Sequence, residues 1–226
     1  MLFPGNSGSH GHYVMHYFAQ RAMRRLTVHL TMIVLSVSAV AAETDGVRQT
    51  VDQYLDARES HDPNLAGSLV AHESLERFEW FRQQALHADR KALCAMSLSE
   101  ASRVLVIRAK YRQFLADIDA RTLAGFGMVD QPYAQSLSRD FDIENVTNNS
   151  ATAVLAGSSY GGGTRIDLVR ERDKWRILLS LDGGGAAAYE PIWQQAKSEK
   201  GCDAALGMAL DLIDRRSKTH LLDPVR

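Results

Sequence analysis

The chain has 226 residues, of which 45% are hydrophobic and 23% charged, with 26 Lys and Arg against 27 Asp and Glu. This suits one globular domain with processing segments, and the chain carries no repeats and no low-complexity linkers. Only Arg21, Arg24 and Arg25 precede Ala42, so the remainder carries 23 basic and 27 acidic residues, a mildly acidic balance with no dense Lys/Arg run for gripping a phosphate backbone or an anionic membrane.

Residues 1–22 are rich in Gly, His and aromatic side chains without a period, and read as a disordered or untranslated leader. Translation then starts at Met23, with Met15 the alternative, and His10, His12 and His16 are not a metal site. Residues 23–41 read as a signal peptide. Arg21, Arg24 and Arg25 form the basic region, Leu26 to Val37 the apolar core, and Ala39 and Ala41 fit cleavage after Ala41. Val40 and Ala42 offer a second register. The apolar core is short of the roughly 20 residues a spanning helix needs, so no integral membrane segment is expected after cleavage. An uncleaved anchor is the rival reading. The expected destination is the periplasm or the exterior.

The mature part, residues 42–216, is expected to be one domain. Val47, Val51, Tyr54 and Leu55 recur at helical spacing, and Thr44 or Asp45 can cap that helix, which ends near His61. Asp62-Pro63 opens a second helix, with Leu65, Leu69 and Val70 on its buried face. Glu73 to Arg90 is a third helix, on which Trp80 falls off the apolar stripe, and Lys91 to Met96 is a short helical turn containing Cys94. Ser97-Leu98-Ser99-Glu100 is a capping box. It turns the ambiguous run Val104–Ile107 towards a helix from Leu98 to Tyr111. Another helix is expected from Asp117, stopped by Gly125 and Gly127.

The pattern changes to alternation near Ser138. Phe141 and Ile143, then Ala151, Ala153 and Leu155, then Ile166 and Leu168, then Trp175, Ile177, Leu179 and Leu181 each share a face. Short turns separate the four runs, which predicts an antiparallel meander. Helix returns from Ala186 to Lys200, bent or started at Pro191, and again from Cys202 to Arg215. Residues 217–226 read as a polar, unpatterned tail. The expected fold class is α+β: N-terminal helices packed on a curved antiparallel meander of about four strands, with extra C-terminal helices.

The opening helix Val47–Leu55, the pause His61-Asp62-Pro63 and the closing pair Thr164–Ile177, with its LV-x-E-x-x-x-W pattern, resemble the nuclear-transport-factor-2-like superfamily of cone-shaped α+β domains. As a whole the chain resembles uncharacterised exported bacterial proteins of that shape. The helical stretch Leu86–Gly125 stands where that superfamily often has a strand, and the helices after Gly185 are additional. The resemblance implies a domain with a cavity. It does not choose among the isomerases, dehydratases, ligand binders and interaction modules that share the fold.

No catalytic motif and no metal-ligand spacing stands in the sequence, so no catalytic residue, metal or cofactor is assigned. His61, His72, His87 and His220 read as structural or surface residues. Tyr54, Trp80 and Tyr111 are the ligand-contact candidates, with packing in the core the alternative reading. Cys94 and Cys202 either form a disulfide in an oxidising compartment or are two separate buried thiols. Asp140, Asp142 and Glu144 alternate with apolar residues and are expected on a solvated face. The runs Gly161–Gly163 and Gly183–Gly185 are flexible turns, and Asn145 and Asn148 match glycosylation acceptors. The expected function is non-catalytic binding of a small apolar ligand or a protein partner, with no nucleic acid and with a homodimer admitted. The alternative is a lyase or isomerase using a buried carboxylate.

Overall fold

The computed structural model describes residues 43–130, 139–156, 164–180, 188–213 and 219–225. The expected leader and signal peptide, the two glycine runs and Leu181 lie outside the described residues. The chain falls into two compact units, residues 1–45 and 46–226. Of the first, only residues 43–45 are described, and they are helical. No described helix is long and apolar enough to cross a membrane.

The second unit is an α+β fold: N-terminal helices, a four-stranded antiparallel sheet and further C-terminal helices. Helix α1 covers 43–59, of which 46–59 belong to this unit. Its stripe Val47, Val51, Tyr54 and Leu55 is buried, as the spacing predicts. The chain then reverses at His61, in the left-handed region (φ 51°). The Asp62 carboxylate accepts from the N–H groups of Asn64 and Leu65 at 2.9 and 3.0 Å. This starts α2 (Pro63–Ser68) with proline in its first turn, where no N–H is needed.

Helix α6 (Ala120–Val129), N-capped by Asp119, packs along α2. The expectation that Gly125 and Gly127 stop this helix is corrected: it runs through both. A Cβ at Gly125 would lie 1.8 Å from the Pro63 carbonyl oxygen, and one at Gly67 would lie 2.3 Å from the Arg121 carbonyl oxygen. The two glycines are where the two backbones meet. Val70 is also corrected. It leaves α2 and forms a parallel bridge to Ile177, with Ala71 N–H donating to Ile177 O and Ile177 N–H to Leu69 O at 2.9 and 2.8 Å. The free edge of the last strand needs those partners.

Helices α3 (His72–His87), α4 (Arg90–Ala95) and α5 (Leu98–Tyr111) follow. Asp89 caps α4. Ser97 and Glu100 form the reciprocal capping box on α5, so Val104, Leu105 and Ile107 are buried on a helix. Strands β1 (Phe141–Glu144), β2 (Ser150–Leu155), β3 (Thr164–Glu171) and β4 (Lys174–Leu178) pair in chain order. Phe141, Ala151, Ala153, Leu155, Ile166, Leu168, Trp175 and Ile177 are buried. Asp142, Glu144 and Asp167 are exposed, so the acidic set on β1 is solvated.

Helix α7 (Glu190–Lys200) has Pro191 in its first turn and buries Trp193, whose indole N–H donates to Met96 O at 3.3 Å. Helix α8 (Cys202–Ile213) follows, and a disulfide ties Cys202 to Cys94 on α4 (Cα–Cα 5.7 Å). The last segment is corrected from a polar tail to a docked one. Thr219–Leu222 forms a 3-10 turn, Leu221 and Leu222 are buried, and Val225 N–H donates to Leu86 O at 3.0 Å.

Candidate functional site

Arg108 holds much of this core in place. It is fully buried on α5. Its guanidinium donates to Ala85 O (2.7 Å), Gln84 O (3.2 Å) and Ala88 O at the end of α3, and to Leu221 O (3.0 Å) of the docked terminus. Helix-end carbonyls lack intrahelical donors, and a five-donor fork serves several at once. Burial, with the nearby Arg112, lowers the guanidinium's pKa to about 10. One turn on, Arg112 donates to His220 O at 3.2 Å and Pro224 O at 3.1 Å.

Between α3, α5, α6 and the end of β4 lies a cleft of about 250 Å³. Phe78, Val106, Leu123, Met128 and Leu179 make its walls apolar, and Gly127 leaves one wall without a side chain. Arg103, Lys110 and Asp130 stand at its polar edge. The Arg103 guanidinium lies 5.3 Å from the Phe81 ring centre. Tyr111 lines the cleft, stacks on Phe126 (5.4 Å, 24° between planes) and donates its hydroxyl to Asp130 Oδ2 at 2.9 Å. Burial, then the bond to Asp130, raises the phenol well above its usual range, so it stays a neutral hydrogen-bonding group at physiological pH.

The three ligand-contact candidates do not converge. Tyr111 lines the cleft. Trp80 lines a separate, more polar depression with Glu73, Glu76, Arg77 and Asp167, which meets the cleft only at Leu179 and Ser180. Half-buried Trp80 packs edge-on to Phe81 (5.0 Å), with the Arg77 guanidinium 4.6 Å from its ring centre. Tyr54 is buried in the core and accepts from Arg58 Nη1 at 3.4 Å. It lines neither the cleft nor the Trp80 depression.

The buried charged side chains among the described residues are Arg58 and Arg108. No carboxylate is among them, and Asp130 at the cleft is exposed. No cluster of three or more His, Cys, Asp or Glu able to hold a metal ion occurs among the described residues. His61, His72, His87 and His220 are exposed. The residues that sequence reasoning passed over are Arg108 and Gly127. A lone Arg in an apolar helical run is the only signal for the first, and nothing local marks the second. The chain matches no protein-family model, no curated protein and no solved structure.

Proposed function

We propose that the domain is an exported, non-catalytic binding module that takes a small, mainly apolar molecule with one polar group into the cleft between α3, α5 and α6. The observation that carries this reading is the cleft itself: apolar walls around about 250 Å³, with the Tyr111–Asp130 pair at the edge. Sites of this kind combine apolar walls with few polar groups that orient the ligand. Burying about 150 Å² of apolar ligand surface contributes roughly 4 kcal/mol before the costs of association, so apolar burial alone supports about millimolar affinity or weaker, and the polar contacts must supply the rest. The ligand's polar group would meet Tyr111, Asp130 or Lys110. The resemblance of the opening helix and closing hairpin to a cavity-bearing superfamily supports the same reading. The Cys94–Cys202 disulfide supports an oxidising compartment. The alternative, a lyase or isomerase using a buried carboxylate, has less behind it, since the buried charged side chains among the described residues are Arg58 and Arg108.

The test is native mass spectrometry of protein purified from its own host, beside Gly127→Leu. A Cβ at Gly127 meets only the Phe78 ring at 3.6 Å, so leucine fills the cleft without displacing backbone. The reading expects a bound small molecule in the wild type, or displacement of a solvatochromic apolar dye, and loss of either in the variant. A wild type that retains nothing and binds no dye, or a variant that binds equally well, would refute it.

A further inference from the structure

The β3–β4 hairpin turn has left-handed backbone at two non-glycine residues, Arg172 (φ 47°) and Asp173 (φ 67°). Such turns usually take Asn-Gly, because a side chain costs about 1 kcal/mol or more per residue there. The hairpin is fixed at this place by the bridge from Ile177 to residues 69–71. Beside it lies a depression of about 900 Å³, between the end of α2, the first turn of α3, the first turn of α6 and the hairpin.

Four permanent cations line it: Arg121, Arg172, Lys174 and Arg176. The one lining carboxylate, Glu171, is engaged by the backbone N–H of His72 at 2.8 Å. Arg176 is held in place by donating to Ser68 O. Arg172 and Lys174 are exposed and make no ion pair with any described residue. In a mature chain with more acidic than basic residues, this is a concentrated cationic field inside a concave surface, which attracts anions more strongly than the same charges on a flat one. Glu76, 3.3 Å from His72, and Asp173, 3.6 Å from Arg170, do not line it. The four cations share one depression of about 900 Å³, which suits a compact ligand better than a long polyanion.

We propose that this depression is a second binding site, independent of the apolar cleft, for a small oxyanion bearing two or more negative charges, of the phosphate-ester or polycarboxylate class. Guanidinium groups match the oxygen pairs of such groups. The same chemistry is presented by a free metabolite or by an anionic lipid headgroup.

The full mature chain is titrated with pyrophosphate and with citrate by calorimetry at low and at physiological ionic strength. In parallel it is sedimented with phosphatidylglycerol/phosphatidylcholine vesicles. The comparison variants are Arg172→Gln/Lys174→Gln and the charge-conserving Arg172→Lys/Lys174→Arg. Both side chains are exposed in the parent, and unchanged thermal midpoints check the fold. The site predicts binding in at least one arm, weakened by salt, reduced at least tenfold by the glutamine pair and largely restored by the charge-conserving pair. Soluble-anion binding identifies a metabolite-type ligand, and vesicle binding alone identifies a headgroup. Absence of binding in both arms, or equal binding by the glutamine pair, overturns the proposal. Gly127→Leu blocks the apolar cleft and is expected to leave this binding unchanged, so the two sites fail separately.

Discussion

Replacing Gly125 or Gly127 by Ala alters the same helix two residues apart, and the expected effects have opposite signs. At Gly125 a Cβ would stand 1.8 Å from the Pro63 carbonyl oxygen and 2.7 Å from its carbon. Non-bonded atoms need about 3.5 Å, so α2 and α6 must separate by roughly 1.5 Å. No side-chain rotation can relieve the contact, because the obstacle is backbone. Overpacking of this kind costs about 1–3 kcal/mol or more, while alanine returns about 1 kcal/mol of helix propensity. A net loss of roughly 2 kcal/mol lowers Tm by about 4–8 °C in a domain of this size. At Gly127 the new methyl meets Phe78 at 3.6 Å, an ordinary contact, so only the propensity gain of about 0.5–1 kcal/mol remains. Urea unfolding followed by far-UV circular dichroism measures both. A Gly125→Ala variant as stable as the parent, or equal losses in the two variants, would refute the close approach of α2 and α6.

Arg108→Met should cost about 3 kcal/mol or more, because it strands buried carbonyls that the neighbouring chain cannot serve; limited proteolysis should then cut near residues 219–225 before the rest of the domain. Reducing the Cys94–Cys202 bond, which spans 108 residues, should remove up to about 4–5 kcal/mol in the chain-entropy model, read as a lower urea midpoint in dithiothreitol and in Cys94→Ser/Cys202→Ser. Stability should also fall in acid. A bond from Arg82 lowers the Glu79 carboxyl, and the Thr122 N–H lowers Asp119. For Glu100, partial burial raises the carboxyl but bonds from Arg77 and Ser97 lower it further, and the net shift is downward. Each group is thus more acidic folded than unfolded. Its contribution is complete above the unfolded values near ~4 and is lost as pH falls through the lower folded ones. Urea midpoints measured from neutral pH into acid should show this slope, and Glu100→Gln should flatten it.

Local chemistry was enough for α1, α2, α5 and the four strands, which carry their own start signal or period, but the Asp89 cap that separates α3 from α4 was read through. The Asp62-Pro63 cap, the Ser97–Glu100 box and the i, i+4, i+7 stripe on α1 are interactions among residues a turn apart, so a linear reading finds them. Strand alternation is equally local, and it placed Phe141, Ile166 and Trp175 on a buried face. Gly125 was misread because a glycine at a helix end and a glycine at a helix crossing are identical in sequence. Only the partner backbone at Pro63 distinguishes them. Residues 219–225 were misread for a related reason: their ordering comes from Arg108 and Arg112 on α5, more than a hundred residues earlier. The same holds for the two candidate sites. The apolar cleft is made by α3, α5 and α6 around the missing side chain of Gly127, and the cationic depression by residues from four separate elements. The amino-acid sequence by itself determined the helices, the strands and which face of each is apolar, because those follow from contacts between near neighbours in the chain. Tertiary structure alone decided where cavities and unpaired charges come together, because a cavity is a property of surfaces that meet only after packing.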